Sequence, residues 1–70
     1  MSEEQVQSLE KEVMKRKRIA AEWAGRMHDL AEERLPEGFG EIQEIAAGTF
    51  KACQAWKEAA DALKVAKNGG

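Results

Sequence analysis

Apolar residues in the first half of the chain recur in alternating steps of three and four. These residues are Val6, Leu9, Val13, Ala20, Trp23, Met27 and Leu30. Arg16 occupies the one slot that interrupts the series. This spacing places the side chains on one face of a helix, as the heptads of helical bundles do. Glu3 and Glu4 place negative charge where the helix dipole favours it, and Ser2 is a candidate N-cap. We therefore predict a helix over residues 3–34.

The second half of the chain repeats the same spacing. Its apolar seam is Ile42, Ile45, Thr49, Ala52, Trp56, Ala59, Leu63 and Ala66. Smaller side chains widen the two seams, and these are Ile19, Ala24, Ala31, Ala46, Cys53 and Ala60. Phe50 falls beside the seam, where we expect it to project toward a second subunit or a partner. The pattern predicts a helix over residues 41–67, followed by a frayed tail over 68–70 that contains two glycines.

Helix breakers separate the two periodic stretches. Pro36, Gly38 and Gly40 fall within five positions. Proline removes a backbone donor and clashes with the preceding helical turn, while glycine is the residue most often found at helix ends. Residues 35–40 are therefore predicted to form a hinge (the hinge below). The fold class that follows is all-α: a single domain over residues 1–70, folded as an antiparallel two-helix hairpin.

Two helices of this length cannot bury much apolar surface by themselves. At about 1.5 Å per residue they would be roughly 45 Å and 38 Å long. A core of this size rarely supplies more than about 3–5 kcal/mol. We therefore expect a dimer that forms a four-helix bundle, with a trimer or an obligate complex with a larger protein as the alternatives. The residues expected at the oligomer or partner interface are Trp23, Met27, Leu30, Ile45, Phe50, Trp56 and Leu63.

Composition places the chain among cytoplasmic helical proteins. One cysteine excludes an intramolecular disulfide and fits a reducing compartment. The first residues lack the positive start and apolar run of a signal peptide. No apolar run approaches the roughly 20 residues that a membrane helix needs. We therefore expect a cytoplasmic protein without a membrane partner.

One basic segment interrupts an otherwise acidic chain. Residues 11–18 contain five cations and one carboxylate, a charge of +4, although the whole chain carries −2. Four of these cations are consecutive, at residues 15–18, and consecutive helical residues point around the whole circumference. They should not form one stripe that faces a nucleic-acid groove. We expect a solvated or partner-facing collar, and nucleic acid as a partner only in a minor alternative.

The residue inventory does not favour catalysis. The chain has one histidine, one cysteine and no tyrosine. Antiparallel pairing about the hinge sets His28 opposite residue 48, so Cys53 lies more than a helical turn from it. We predict that Cys53 is an inert cysteine in the core, that the chain is not an enzyme, and that it requires no cofactor.

His28 and Glu32 form the only candidate metal site in the sequence. Their i,i+4 spacing lets both side chains lie on one helical face, with Asp29 and Glu33 beside them. Two ligands make a weak site, and a filled shell would need others from a partner chain. A solvated histidine that pairs with Glu32 or Asp29 is the expected state. A divalent metal held by His28 and Glu32 is the alternative.

The hinge region carries a family resemblance. Residues 28–33 read His-Asp-Leu-Ala-Glu-Glu, and Leu-Pro, Phe39 and a Glu-Ile pair follow. With Thr49, Phe50 and Ala52, these residues resemble a family of small Rop-like helical hairpins encoded among nitrogen-fixation genes, sometimes labelled metalloproteins. The similarity covers about residues 10–66. The sequence departs from the family in having Arg34 before Leu-Pro, one residue more than the commonest spacing, and in Gly38 and Gly40.

The resemblance implies a function that the composition does not. It implies a non-catalytic accessory protein that docks on the molybdenum–iron protein of nitrogenase during maturation, protection or repair. Two alternatives stay open. One is a hairpin that binds or delivers a metal, and the other is a Rop-like regulator that binds RNA through residues 11–18.

Overall fold

The chain forms one long antiparallel hairpin in the computed structural model, which describes residues 3–69. Helix α1 spans Glu3–Asp29 and continues into one wider π-helical turn, Leu30–Arg34. A short 3-10 turn, Phe39–Glu41, leads into helix α2, Ile42–Gly69. The two helices pack against each other in a rod that measures 51 × 14 × 13 Å. The predicted fold class, an all-α antiparallel hairpin, is confirmed, and residues 3–69 contain no strand.

The helix ends differ from the predicted bounds at two places. The α-helical geometry of α2 begins at Ile42 rather than at residue 41, because the 3-10 turn includes Glu41. At the other end α2 continues through Asn68 and Gly69, where the sequence predicted a frayed tail. Lys67 reaches Glu10 of α1 at 3.5 Å, so the last turn of α2 is still tied to α1. The proposed cap Ser2 and the final residue Gly70 lie outside the described residues.

Backbone hydrogen bonds and one ion pair close the hinge. The Leu35-Pro36 peptide bond is cis. The N–H of Gly38 donates to the carbonyl of Arg34 at 2.6 Å, and the N–H of Glu41 donates to the carbonyl of Gly38 at 2.9 Å. Arg34 and Glu41 also pair directly, with 3.2 Å between Nη1 and Oε1. These contacts tie the end of the first helical stretch to the start of the second.

Gly38 is required by close packing in this hinge. A Cβ at this position would lie 2.9 Å from both the carbonyl oxygen of Arg34 and Cδ1 of Leu30. No described glycine has a positive φ, so the left-handed conformation is not the reason for a glycine here. The absence of a Cβ at Gly38 lets the turn lie directly against the buried Leu30.

The core is a narrow line of side chains between the two helices. Among residues 3–68, all of the buried hydrophobic residues belong to the predicted seams, and they are Ala20, Leu30, Ile45, Ala52 and Ala66. Three of these five are alanines, which bury little area each. Several large apolar side chains remain exposed, and they are Met14, Met27, Leu35, Phe39, Ile42, Phe50 and Val65. Three of them, Met27, Leu35 and Ile42, line one pocket, and contiguous exposed apolar surface is typical of interaction sites.

The prediction that Cys53 lies in the core is wrong, because its side chain is exposed. Cys53 directly follows the buried Ala52, so it points about 100° away around the helix. In a hairpin each helix has one neighbour, which covers the seam and leaves its flanks open. The flanking residues Ala24, Ala31 and Ala46 are exposed for the same reason.

Neither helix within residues 3–69 has a stretch both long and apolar enough to cross a membrane.

Candidate functional site

Near the hinge, one side of the hairpin is apolar. A shallow pocket of about 170 Å³ opens there (the apolar pocket below). Its lining residues are Met27, Leu30, Ala31, Leu35, Ile42 and Ile45. Leu30 and Ile45 form its buried floor, while Leu35 and Ile42 are exposed at its rim. The pocket therefore exposes an edge of the hairpin core to its surroundings.

The opposite side carries a larger, charged groove of about 520 Å³ (the polar groove below). Its lining residues are Trp23, Arg26, Asp29, Glu33, Arg34, Glu41, Glu44 and Ile45. Glu33 of this groove and Ala31 of the apolar pocket are two residues apart, so they point about 160° apart around the helix. With four carboxylates and two arginines, the polar groove is net negative.

Trp23 anchors one end of the polar groove. The guanidinium carbon of Arg26 lies 4.8 Å from the centroid of the Trp23 ring, in a cation–π contact. The same ring lies against the backbone of α2 at Gly48, where a Cβ would lie 2.6 Å from Trp23 Cε3. The sequence analysis missed the role of Gly48. A glycine inside a helix costs about 1 kcal/mol relative to alanine. The presence of Gly48 within the predicted second helix was therefore a sign that close packing requires a glycine there.

His28 and Glu32 lie together on the outer surface, as their spacing predicts. Nε2 of His28 lies 3.3 Å from Oε1 of Glu32, and Nδ1 lies 3.8 Å from Oδ1 of Asp29. All three side chains are exposed. Within residues 3–69 no group of three histidine, cysteine, aspartate or glutamate side chains is placed to hold a metal ion. Further ligands would therefore have to come from another chain or from solvent.

The seven residues predicted at the interface divide by their burial. Leu30 and Ile45 are buried between α1 and α2, so they hold the hairpin itself together. Met27 and Phe50 are exposed and available to a partner. The remaining three, Trp23, Trp56 and Leu63, are half-buried at the edges of the seam.

The cations of residues 11–18 do not form an even collar. Arg16 is half-buried and its Nε donates to Oε1 of Glu12 at 2.7 Å. Lys15 and Arg18 instead lie beside Lys11 around the exposed Met14. The four consecutive cations point around the whole helix, but Lys11, one helical turn before Lys15, adds a cation on the side of Lys15 and Arg18. Three of the cations therefore share one face of α1.

One surface ion pair on α2 raises the pKa of a lysine. Nζ of Lys57 donates a hydrogen bond to Oδ2 of Asp61 at 2.9 Å, and this bond raises the pKa of Lys57 above its ordinary value. Both side chains are exposed, and exposed pairs of this kind contribute little to stability.

Comparison with known proteins identifies the family. A family model described as Rop-like matches residues 4–68, which include both helices and the hinge. Neither the curated proteins nor the solved structures that were searched gave a match. The extent of the family match agrees with the two-helix architecture described above, and the chain belongs to the Rop-like family.

Proposed function

We propose that the chain is a non-catalytic accessory protein of nitrogen fixation that docks on the molybdenum–iron protein of nitrogenase during maturation, protection or repair. Membership of the Rop-like family supports a helical hairpin that acts by association. The choice of partner rests on the resemblance of the hinge region, and of Thr49, Phe50 and Ala52, to hairpins encoded among nitrogen-fixation genes. On that resemblance, we propose nitrogenase-associated factor T as the protein of that kind with which the chain should be compared.

The observation that carries the proposal is the exposure of aromatic and aliphatic side chains on a hairpin whose own core is slim. Phe50 is 69% exposed and Phe39 is 70% exposed. Aromatic side chains commonly dominate the binding energy of interfaces when a partner covers them. This exposure supports a docking module, whose two phenylalanines a partner surface would cover.

Direct binding tests the docking proposal. We expect the purified chain to bind the molybdenum–iron protein in a size-exclusion or biolayer experiment, in its active or its cofactor-depleted form. Phe50→Ala should weaken the complex by about tenfold or more, since removal of an interface aromatic often costs about 2 kcal/mol or more. Val65→Ala is the matched control for the loss of an exposed apolar side chain, because Val65 is 68% exposed on the same helix. It should leave the affinity unchanged. The absence of a complex with both forms would contradict the proposal.

A second copy is the partner that we propose for the apolar side of the hairpin. Residues 28–44 hold six carboxylates and one arginine, a charge of −5, so the remainder of the chain carries +3. If the two hairpins pointed in the same direction, their two acidic hinge ends would lie together and repel each other. If they pointed in opposite directions, the acidic hinge end of each copy would lie beside the basic part of the other, which is electrostatically favourable. The proposed dimer is therefore a four-helix bundle with its hinges at opposite ends.

The direction of the dimer can be measured with one spin label per chain. Glu37→Cys in a Cys53→Ser background places the label at the hinge, and Cys53 is exposed, so its replacement should not disturb the core. We expect a label-to-label distance close to the 51 Å length of the hairpin. Hinges at the same end would give roughly 10–20 Å, given helix spacings of about 8–10 Å. A monomer at the concentration of the experiment would contradict the dimer altogether.

Divalent-metal binding is a second proposal, supported by the 3.3 Å approach of His28 to Glu32. It predicts stoichiometric uptake of Zn²⁺ or Co²⁺ in a calorimetric titration, because imidazole and carboxylate are ligands of these ions. His28→Ala should abolish the uptake, whereas Cys53→Ser should preserve it. If the unmodified chain takes up no metal stoichiometrically, this proposal fails.

A further inference from the structure

Four residues on the outer surface of α1 form a charged patch with an apolar centre. Lys11, Met14, Lys15 and Arg18 follow the i, i+3, i+4, i+7 spacing that places side chains on one helical face (the basic face below). With Glu10 they line an open groove of about 480 Å³. Met14 at its centre is 65% exposed.

The basic face points away from α2. Arg18 and the buried Ala20 are two residues apart, so their directions around α1 differ by about 160°. The contact that forms the hairpin therefore leaves this face uncovered. An exposed methionine inside a ring of charges has no role in the core of the hairpin.

Unlike several other cations, those of the basic face pair with no side chain among residues 3–69. Each of five other cations has a contact: Arg16 with Glu12, Arg26 with Trp23, Arg34 with Glu41, Lys57 with Asp61, and Lys67 with Glu10. Among residues 3–69, no carboxylate pairs with Lys11, Lys15 or Arg18. Three positive charges are therefore left on one face of a chain that is negative overall.

We infer that the basic face is a docking site for an acidic helix on the surface of a partner protein. The inference rests on the proposed docking function and adds a contact on α1 to the one proposed for Phe50 on α2. Carboxylates on such a helix would pair with the three cations, and an apolar residue among them would cover Met14. The flexible thioether side chain of methionine adapts to irregular apolar partners. The aliphatic stems of lysine and arginine extend the apolar contact.

Charge and composition favour an acidic protein over a nucleic acid as the occupant. The −5 charge of residues 28–44 would repel the rest of a long nucleic acid. Nucleic-acid sites draw most of their affinity from phosphate contacts, for which a central methionine offers nothing. Met14 instead offers an apolar contact that a partner with apolar side chains can use.

Two variants with equal loss of charge test the inference. One replaces the three cations of the basic face, as Lys11→Gln, Lys15→Gln and Arg18→Gln. The other replaces three exposed cations elsewhere that likewise pair with no carboxylate among residues 3–69, as Lys17→Gln, Lys51→Gln and Lys64→Gln. Glutamine keeps the helix propensity and approximate size of lysine. Circular dichroism should show equal helicity for both variants and the unmodified chain.

The first probe is a synthetic helical peptide with glutamates around a central leucine, and its affinity is measured by fluorescence anisotropy. We expect the basic-face variant to bind at least about tenfold more weakly than the unmodified chain, and the control variant to stay within about threefold. Met14→Gln should weaken binding by about threefold or more and leave the salt dependence unchanged. Equal losses in the two charge variants, or no binding by the unmodified chain at millimolar peptide, would overturn the inference.

The second probe is a duplex RNA of 20 base pairs. If the RNA binds more tightly than the peptide and through the same three cations, the basic face is a nucleic-acid site and the inference fails. The third probe is the molybdenum–iron protein. If it binds the unmodified chain and the basic-face variant equally, the inference fails while the proposed function stands. If the peptide results hold but this protein does not bind, the proposed function fails while the basic face stands.

Discussion

Leu30→Ala is expected to leave the isolated hairpin largely unfolded. Leu30 is 2% exposed, and Leu30 and Ile45 are the large side chains among the buried core residues. Truncation of a buried leucine to alanine costs about 2–5 kcal/mol. A two-helix core of this size rarely supplies more than about 3–5 kcal/mol in total. One substitution therefore removes most of the stability that the hairpin can have on its own.

Urea denaturation followed by circular dichroism measures this loss. Leu35→Ala is the matched control, because Leu35 lines the same apolar pocket but is 40% exposed. We expect it to cost only about 1 kcal/mol, since less of Leu35 than of Leu30 is removed from water in the folded state. The measurement should be made at two protein concentrations, because association of copies would raise the apparent stability. Equal losses for the two leucines would refute the central role of Leu30.

The core was predictable from the sequence because periodicity determines which face of a helix is apolar. Every buried residue lies on a predicted seam, including Ala20 and Ala66, whose small size gives a weak signal when each is considered alone. Arg16, which interrupts the seam, is half-buried and pairs with Glu12, one turn earlier. The alternating spacing of three and four residues identifies all of these positions together, whatever the size of each side chain.

The flanks of the seams were not predictable in the same way. Cys53 and Ala46 flank the seam of α2 and are exposed, although the width of the apolar stripe placed Cys53 in the core. Burial at a flank depends on how many helices surround it, which periodicity within one helix does not reveal. The apolar stripe is wider than one neighbouring helix can cover, and this excess width is the basis of the proposed association.

Details of the candidate site depended on contacts across the two helices. The approach of His28 to Glu32 follows from spacing within one helix, so the sequence predicts it. The contact of Trp23 with Gly48 depends on which residues of α1 and α2 face each other, and on the orientation of one side chain. The sequence shows Gly48 only as a weak helix former. Close approach between elements is the information that local pattern lacks.

Identical substitutions at two helical glycines are expected to have opposite effects. A Cβ at Gly25 would meet nothing within 4 Å, so Gly25→Ala should stabilise the protein by about 1 kcal/mol through helix propensity. A Cβ at Gly48 would enter the space of the Trp23 ring. Gly48→Ala gains the same propensity but must displace the indole, and overpacking of this kind costs about 1–3 kcal/mol. We therefore expect Gly48→Ala to lower the free energy of unfolding.

A third variant separates the clash from other effects of the glycine. In a Trp23→Ala background the ring is absent, so adding Gly48→Ala should now stabilise the protein, as Gly25→Ala does in the unmodified chain. The difference between the two effects of Gly48→Ala is the coupling energy between the two positions, measured by urea denaturation. Displacement of the indole should also remove its stacking with Arg26, which tryptophan fluorescence in a Trp56→Phe background would report. If Gly48→Ala stabilises the chain while Trp23 is present, the indole does not pack against α2 at Gly48. The position of Trp23 at the end of the polar groove would then be contradicted as well.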